Sequence, residues 1–269
     1  MPELVPRFRE DQVRIIGSFL AHQVAASGRK GVVLGLSGGV DSALVAKLCV
    51  DAIGAKRVLA LGLPEGRAGK DLEDARAFAE ELGIEFRVID IAPMVSAFDE
   101  HLKAKKADRI ARGNLRARAR MVVLYWVANT EDRLVIGTGN KSELLCAYFT
   151  RYGDGGVDFL PIGDLYKTQV RDMARHLGLP KKIIDKVPAA GLWPGQTDEG
   201  ELRISYDELD RILLGIELQM EPEAIAEKAG APLDHVRRIE DLVAATAYKR
   251  KMPLIPKLGV RTLGLDWRE

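Results

Sequence analysis

Residues 35–42 read Gly35-Leu36-Ser37-Gly38-Gly39-Val40-Asp41-Ser42, between an apolar run over 32–34 and a helix-like segment over 43–50. A tight glycine turn between a strand and a helix points backbone N–H groups and the positive end of the helix dipole at an anion. Gly38 and Gly39 lack a Cβ, so a phosphate can approach the backbone closely. Ser37 and Ser42 add hydroxyl donors. The loop therefore predicts a nucleotide-phosphate site.

Asp41 distinguishes this loop from the commoner nucleotide loops. The Walker pattern requires a lysine where Asp41 stands, and the dinucleotide fingerprint requires G-x-G-x-x-G. A carboxylate repels a polyphosphate unless a divalent cation lies between them. We therefore expect ATP and Mg²⁺ to bind here together. A glycine-rich turn without a ligand is the alternative, and the number of fitting residues in a strand-to-helix context disfavours it.

The hydrophobic pattern predicts the fold class. Strands are expected at about 31–36, 57–63, 86–91 and 134–137, and helices between and around them at about 10–27, 41–53, 71–82, 93–103 and 108–129. Such alternation is typical of an α/β fold with a doubly wound, mostly parallel sheet, helices on both faces and ligands at the carboxyl ends of the strands.

The remainder of the chain predicts a helical C-terminal extension. Helices are expected at about 167–177, 180–186, 205–214, 221–229 and 232–247, and residues 191–200 are expected to form a mobile loop over the site. We expect one domain over 1–269, with a core at about 10–165 and the extension at about 166–269.

Composition excludes several classes of protein. The net charge of +1 gives no field that would attract nucleic acid or an anionic membrane. Cys49 and Cys146 form no C-x-x-C pair, which disfavours a zinc site or a disulfide framework and suits a reducing cytoplasm. The first ten residues lack the apolar region of a signal peptide, and no apolar stretch approaches the ~20 residues of a membrane span. A cytoplasmic enzyme without a nucleic-acid or membrane partner is expected.

A second glycine motif reads Gly137-Thr138-Gly139-Asn140-Lys141-Ser142-Glu143 and also leads from a strand into a helix. Asp41 and Glu143 could converge on one Mg²⁺ from adjacent strand ends. Glu143 is equally well explained as an acidic residue in the first turn of a helix.

Three further segments carry candidate binding residues. The glycine-rich segment 149–161 is typical of a binding loop, or of a plain turn. On the helix predicted over 108–129, Arg116 and Arg120 share a face and Arg118 points elsewhere, although a basic face is often only solvated. Lys167 is at the start of a predicted helix, where its positive charge is unfavourable beside the positive end of the helix dipole. Such a placement indicates a role in phosphate binding; the alternative is a surface lysine that extends into solvent.

The motifs resemble a known family. S-G-G-V-D-S resembles the PP-loop of ATP pyrophosphatases, which cleave ATP between the α- and β-phosphates and activate a substrate as an adenylate. The wider set resembles the ammonia-dependent NAD⁺ synthetases over about residues 10–253, through G-N-L-R-A-R-A-R-M, G-T-G-N-K-S-E, F-T-R-Y-G-D-G-G-V-D, L-P-I-G-D-L-Y-K-T-Q-V-R and T-D-E-G-E-L-R-I-S-Y-D-E-L-D. This resemblance implies an adenine nucleotide alpha hydrolase-like fold, a homodimer, and amidation of deamido-NAD⁺ by ammonia with ATP and Mg²⁺ through an NAD-adenylate, releasing AMP and pyrophosphate.

The resemblance also implies roles for individual residues. ATP would be bound by Gly35, Leu36, Ser37, Gly38, Gly39, Val40, Asp41, Ser42, Thr138, Lys167 and the position of Ala189. Mg²⁺ would be bound by Asp41 and Glu143. Deamido-NAD⁺ would be bound by Arg118, Arg151, Asp158 and Lys249. Asp41 and Lys167 would act in catalysis, and Asp158 is a candidate for deprotonating ammonium.

Three positions depart from the pattern common among bacterial relatives. Tyr248 stands where they often have histidine, and Arg151 replaces a lysine, which keeps the charge but changes its geometry. Ala189 lacks the hydroxyl that a threonine or serine would offer ATP. These differences affect details of binding and not the expected reaction.

Features that the sequence lacks indicate the nitrogen donor and disfavour two rival functions. A glutamine-hydrolysing version needs an extra domain with a nucleophilic cysteine, for which 269 residues leave no room, so ammonia is expected as the donor. A PP-loop tRNA-modifying or sulfur-transfer enzyme would need a broad basic surface and usually a cysteine pair. A nucleotide-binding sensor on the same sheet would not need both Asp41 and Glu143.

Overall fold

A computed structural model describes residues 4–66, 69–102, 108–189, 191, 193, 195–263 and 266. Its sheet contains β1 (Gly31–Gly35), β2 (Val58–Gly62), β3 (Glu85–Val88) and β4 (Arg133–Ile136). The strand order is β3-β2-β1-β4, and every neighbouring pair is parallel. Val33 of β1 lies opposite Leu59 on one side and Val135 on the other. The predicted parallel sheet is confirmed.

Helices fill the intervals between the strands and follow the last of them. They are α1 (Asp11–Ser27), α2 (Val40–Ile53), α3 (Lys70–Leu82), α4 (Ala92–Leu102), α5 (Arg109–Glu131), α6 (Lys141–Leu145), α7 (Lys167–His176), α8 (Lys181–Ile184), α9 (Asp198–Leu202), α10 (Tyr206–Glu217), α11 (Pro222–Ala229) and α12 (Leu233–Ala245). None of the helices among the described residues has the length and apolar character needed to cross a membrane.

The end of the loop predicted over 191–200 is helical. Helix α9 begins within it, because the Thr197 side chain accepts a hydrogen bond from the amide of Gly200 at 3.2 Å and caps the helix. Leu192 and Pro194 of the same stretch lie outside the described residues. Mobility of the stretch stays a prediction.

Both faces of the sheet are covered, as a doubly wound fold requires. Val32 and Leu34 point to one face and are buried in a core with α1, α2 and α7. Val33 and Val135 point to the other face and are buried with α4 and α5. Successive residues of a strand face opposite ways, so one apolar run supplies both cores.

A third core joins the later helices. Tyr206, Leu209 and Ile212 of α10 pack with Ile225 of α11 and Ile239 of α12. Helices α7 and α8, by contrast, contribute to the core on the sheet. The division of the domain at about residue 165 stays a prediction.

Three of the sequence motifs meet at the carboxyl edge of the sheet. The loop after β1 and the loop after β4 leave adjacent strands at this edge. The glycine-rich segment 149–161 returns beside β4, where the Asp158 amide donates to Val135 O at 2.9 Å and the Gly137 amide donates to Phe159 O at 2.9 Å. Ligands of such sheets bind at this edge.

Candidate active site

The loop between β1 and α2 is shaped for an anion. Gly38 has a φ of +79°, and a Cβ on it would lie 2.3 Å from the carbonyl oxygen of Asp71. The Ser42 hydroxyl donates to Gly39 O at 3.0 Å and lies 3.1 Å from the Ser37 hydroxyl. Among the described residues, no side chain caps the first turn of α2, which leaves its amides available to a bound phosphate.

Lys167 is the centre of the charged cluster beside this loop. Its residue is only 1% exposed, which excludes the alternative of a surface lysine. The ammonium contacts Asp41 Oδ2 and lies 3.4 Å from Glu143 Oε1. Asn140 donates from Nδ2 to the other oxygen of Asp41 at 2.9 Å. Asp41, Glu143 and Lys167 come from three separate motifs, and the two carboxylates share the ammonium of the lysine.

Glu143 has two roles that the sequence presented as alternatives. Its amide donates to Asn140 Oδ1 at 3.0 Å, and its Oε2 accepts from the Asn140 amide at 3.2 Å, which forms a capping box at the start of α6. The remaining oxygen, Oε1, faces the Lys167 ammonium. The helix cap fixes the carboxylate and leaves one of its oxygens for a cation.

The protonation of the cluster follows from burial and charge. Burial lowers the pKa of the Lys167 ammonium, but Asp41 and Glu143 outweigh it, so that the pKa is raised and the lysine is protonated. Burial raises the pKa of Glu143 to about 8, although the Lys167 charge opposes the rise. The two carboxylates therefore keep Lys167 cationic, and positive charge beside Glu143 favours the ionised form of its carboxyl group.

The start of α7 is held by a buried carboxylate that sequence reasoning did not assign. Asp210 of α10 accepts from the Ser142 hydroxyl at 2.5 Å and from both the amide and the hydroxyl of Thr168 at 2.8 Å. The Lys167 amide donates in turn to Ser142 Oγ at 3.0 Å. An acidic side chain at a helix N-terminus offsets the helix dipole. The available signal was the last residue of the motif T-D-E-G-E-L-R-I-S-Y-D-E-L-D.

The Asp210→Asn variant is expected to change how stability depends on pH. Burial raises the pKa of Asp210 to about 6, above its value in the unfolded chain, so the folded protein binds the proton more tightly. Its contribution to the free energy of unfolding therefore falls as pH rises from 4 to 7, by about 3 kcal/mol at most. Urea unfolding of both proteins at several pH values measures this effect. The free energy of unfolding of the wild type minus that of the variant should fall with rising pH. A difference that is constant or grows would contradict the assignment.

A second basic group lies at the segment over 147–151. Arg118 donates to Arg151 O at 3.3 Å, and Arg151 donates to Lys251 O at 3.0 Å. Lys249 donates to the carbonyl oxygens of Ala147 and Phe149 at 2.6 and 2.5 Å. Three of the four residues implied for the dinucleotide are thus brought together.

Two carboxylates flank this group. Asp158, the fourth predicted residue, accepts from Tyr125 OH at 3.0 Å and from the Val135 amide at 2.7 Å. Asp154 accepts from the Thr150 amide at 2.8 Å. The family resemblance implied a role for Asp158 and none for Asp154.

The two remaining predicted ATP residues lie at different places around the loop. Thr138 is half-buried just after β4. Ala189 is exposed and follows Lys186, whose ammonium pairs with Asp71 at 2.9 Å. Since the main chain of Asp71 abuts Gly38, the segment from Lys186 to Ala189 starts beside the phosphate loop.

The arginines on α5 are not the solvated face that was one alternative. Arg116 pairs with Glu65, and Arg120 Nε donates to Leu63 O at 3.1 Å, so both fix the loop after β2.

The donor set of the cluster fits a magnesium ion. Mg²⁺ prefers oxygen ligands and is usually held by one or two carboxylates together with substrate phosphates. Asp41 and Glu143 already direct one oxygen each at the same cation, the Lys167 ammonium. Within the described ranges, no set of three or more His, Cys, Asp or Glu side chains is arranged to hold a metal.

Comparison with known proteins assigns the family. The profile described as NAD synthase matches residues 12–253. An NH(3)-dependent NAD(+) synthetase of Methanosarcina mazei is 49% identical over 92% of this chain and 97% of its own. One from Archaeoglobus fulgidus is 51% identical over 93% of this chain and 97% of its own. An NMN synthetase structure from Francisella tularensis superposes with a TM-score of 0.82 at 35% identity, covering 94% of this chain and 100% of that one.

Proposed function

Because the chain belongs to the NAD synthase family, we propose that it is an ammonia-dependent NAD⁺ synthetase, which amidates deamido-NAD⁺ and converts ATP into AMP and pyrophosphate. The observation that carries the proposal is the cluster in which Asp41 and Glu143 share the Lys167 ammonium beside the uncapped start of α2. Relatives named as NH(3)-dependent synthetases match along nearly their whole length, which supports ammonia as the nitrogen donor.

ATP would lie with its phosphates on the loop from Gly35 to Ser42. The free amides at the start of α2 and the hydroxyls of Ser37 and Ser42 would donate to phosphate oxygens. Thr138 and Lys167 would contact the nucleotide from the β4 side, and the exposed backbone at Ala189 would do so without a hydroxyl. Asp41 and Glu143 would hold Mg²⁺, which neutralises charge on the phosphates when it is bound.

The residues present support adenylation followed by amide formation. A nicotinate carboxylate is a poor electrophile, so one of its oxygens attacks the α-phosphorus of ATP and pyrophosphate departs. The loop amides and the Lys167 ammonium stabilise the negative charge that develops on the leaving pyrophosphate. Ammonia then attacks the carbonyl carbon of the adenylate, and AMP leaves with the carboxylate oxygen. No nucleophilic side chain is needed, so positioning and electrostatics account for catalysis.

Deamido-NAD⁺ would bind across the segment over 147–151. Guanidinium groups suit phosphates, and Arg118 and Arg151 lie together there beside Lys249. Asp158 would take part in binding and is our candidate to accept the proton that ammonium must lose. Its hydrogen bonds with Tyr125 and the Val135 amide fix the carboxylate beside β4.

The function is tested by mixing the purified protein with ATP, Mg²⁺, deamido-NAD⁺ and either ammonium or glutamine. NAD⁺ and AMP should form with ammonium only. Formation of ADP, or equal turnover with glutamine, would contradict the proposal. An NMN synthetase has a similar structure, so a nicotinate mononucleotide substrate is the second candidate, and replacing deamido-NAD⁺ by that mononucleotide distinguishes the two.

The active unit would be a homodimer in the cytoplasm. An exposed apolar surface is formed by Ile15 and Phe19 of α1 and by Val122 and Trp126 of α5. Phe19 also packs on Phe159, with ring centroids 5.7 Å apart. A second copy is the occupant that fits, since a solvent-exposed apolar patch on both copies can be covered by symmetry. The two cysteines are buried and unpaired, in keeping with a reducing compartment.

The Trp126→Glu variant is expected to dissociate this dimer. Trp126 is 71% exposed in the single chain, and a buried tryptophan at the centre of an interface commonly contributes about 2 kcal/mol or more, so the dimer dissociation constant should rise by about 30-fold or more. Sedimentation velocity over a range of concentrations measures the effect. Leu218→Glu at the end of α10, which is 58% exposed, serves as the control and should stay dimeric. A monomeric wild type, or a dimeric Trp126→Glu protein, would contradict the proposed interface.

A further inference from the structure

Asp198 is a buried carboxylate close to the Lys167 cluster that has no role in the scheme above. It is 4% exposed, and its Oδ1 is buried without a well-formed hydrogen bond, although the Tyr148 side chain lies close enough to lower the pKa of the carboxyl. Its Oδ2 accepts from Tyr206 OH at 3.1 Å. A buried carboxylate with one unpaired oxygen is energetically unfavourable unless something else compensates its charge.

The Lys167 ammonium is the compensating charge. It lies 5.2 Å from the centre of the Tyr206 ring, and the hydroxyl of that ring is bonded to Asp198. Burial is the largest influence on the pKa of Asp198 and raises it, while the Lys167 charge opposes the rise. Asp198 therefore belongs to the same electrostatic group as Asp41 and Glu143 without contacting them in the way a shared metal site would require.

The proposed function requires this group to rearrange. In this structure, Lys167 takes up the oxygens of Asp41 and Glu143 that a magnesium ion would need. Once those oxygens hold the metal, the buried ammonium must lose both of its partners. An unpaired buried charge costs several kcal/mol, so another counter-charge is needed during the exchange. Asp198 is buried, is fixed by Tyr206, and has one oxygen without a well-formed hydrogen bond.

Building on the proposed function, we propose that Asp198 is a positioning residue, which receives the Lys167 ammonium when Asp41 and Glu143 turn to the metal and holds it toward the phosphates of ATP. The residue is also joined to the loop over 187–197, because its amide donates to Pro188 O at 3.1 Å. The exchange of partners by Lys167 is thereby linked to the segment that carries Ala189.

The test compares ATP binding with Mg²⁺ and with EDTA, by calorimetry, in the wild type, Asp198→Asn and Glu201→Gln. Mg²⁺ should increase the affinity for ATP in every protein. In Asp198→Asn this increase should be about tenfold smaller than in the wild type, which is the size of effect found for residues that orient metal-site groups. The substitution should also lower kcat for pyrophosphate release more than it raises the KM for ATP. Glu201 lies on the same helix but pairs with Arg109 at 3.7 Å, so Glu201→Gln should leave both quantities unchanged.

The outcomes separate this inference from the function on which it rests. Pyrophosphate release by the wild type with deamido-NAD⁺ reports on the proposed function. The increase in ATP affinity that Mg²⁺ produces in the variants reports on Asp198. An unchanged gain in Asp198→Asn would overturn the inference. If Asp198→Asn does not fold, Tyr206→Phe keeps the charge but removes the hydrogen bond that orients it, and should reduce the gain by about fivefold. An unchanged gain there would overturn the inference equally.

Discussion

Replacing Asp41 with asparagine is expected to lower the rate of pyrophosphate release by about 1,000-fold or more. The substitution removes a charged oxygen that faces the shared cation, and a metal-ligand carboxylate supports several kcal/mol of transition-state stabilisation. The fold should survive, because Asp41 is on the first turn of α2 and Asn140 and Glu143 still cap α6. The effect is measured with a coupled assay that detects pyrophosphate release at saturating Mg²⁺. Circular dichroism checks that the variant is folded.

A matched control comes from the same helix. Asp51 lies near the end of α2 and pairs on the surface with Lys47 at 2.6 Å. Asp51→Asn removes the same charge and should leave turnover near the wild-type value, since exposed pairs contribute little. Near-normal turnover by Asp41→Asn at saturating Mg²⁺ would remove Asp41 from the metal site.

Replacing Gly38 with alanine is expected to lower the free energy of unfolding by about 3 kcal/mol and to abolish ATP binding. Gly38 has a left-handed φ of +79°, and the added Cβ would lie 2.3 Å from the Asp71 backbone oxygen, which cannot move without shifting α3. Urea denaturation of the ligand-free protein measures the change without any contribution from the nucleotide.

Gly39→Ala is the comparison for this substitution. Gly39 has a φ of −93°, and its added Cβ would meet only the Ser37 hydroxyl at 3.4 Å, so the cost should stay below about 1 kcal/mol. Equal stability losses for the two variants would show that the turn at Gly38 does not depend on its conformation or on the close approach to Asp71.

The sheet and most helices were predictable from the sequence because local pattern and tertiary role agree. The strand β1 is apolar at every interior position, as a strand covered on both faces must be. Helix α9 was not predicted, because it is only five residues long and its start depends on the Thr197 cap and not on periodicity.

The candidate site was predictable where its residues follow strand ends. Asp41 and Glu143 leave adjacent strands, so their convergence follows from the topology. Burial of Lys167 was not predictable, since it arises from packing of α7 between α2 and α10. Asp198 is remote in sequence from Lys167, and Asp210 from Thr168, and only the folded chain brings them together.

The most direct test of the account uses deamido-NAD⁺ labelled with ¹⁸O in the nicotinate carboxylate. With ATP, Mg²⁺ and ammonium, attack of that carboxylate on the α-phosphorus followed by ammonia on the carbonyl must leave one labelled oxygen in AMP and the other in the amide of NAD⁺. Mass spectrometry of the products should show this distribution. Unlabelled AMP, or ADP in place of AMP, would contradict adenylation at the site formed by Asp41, Glu143 and Lys167.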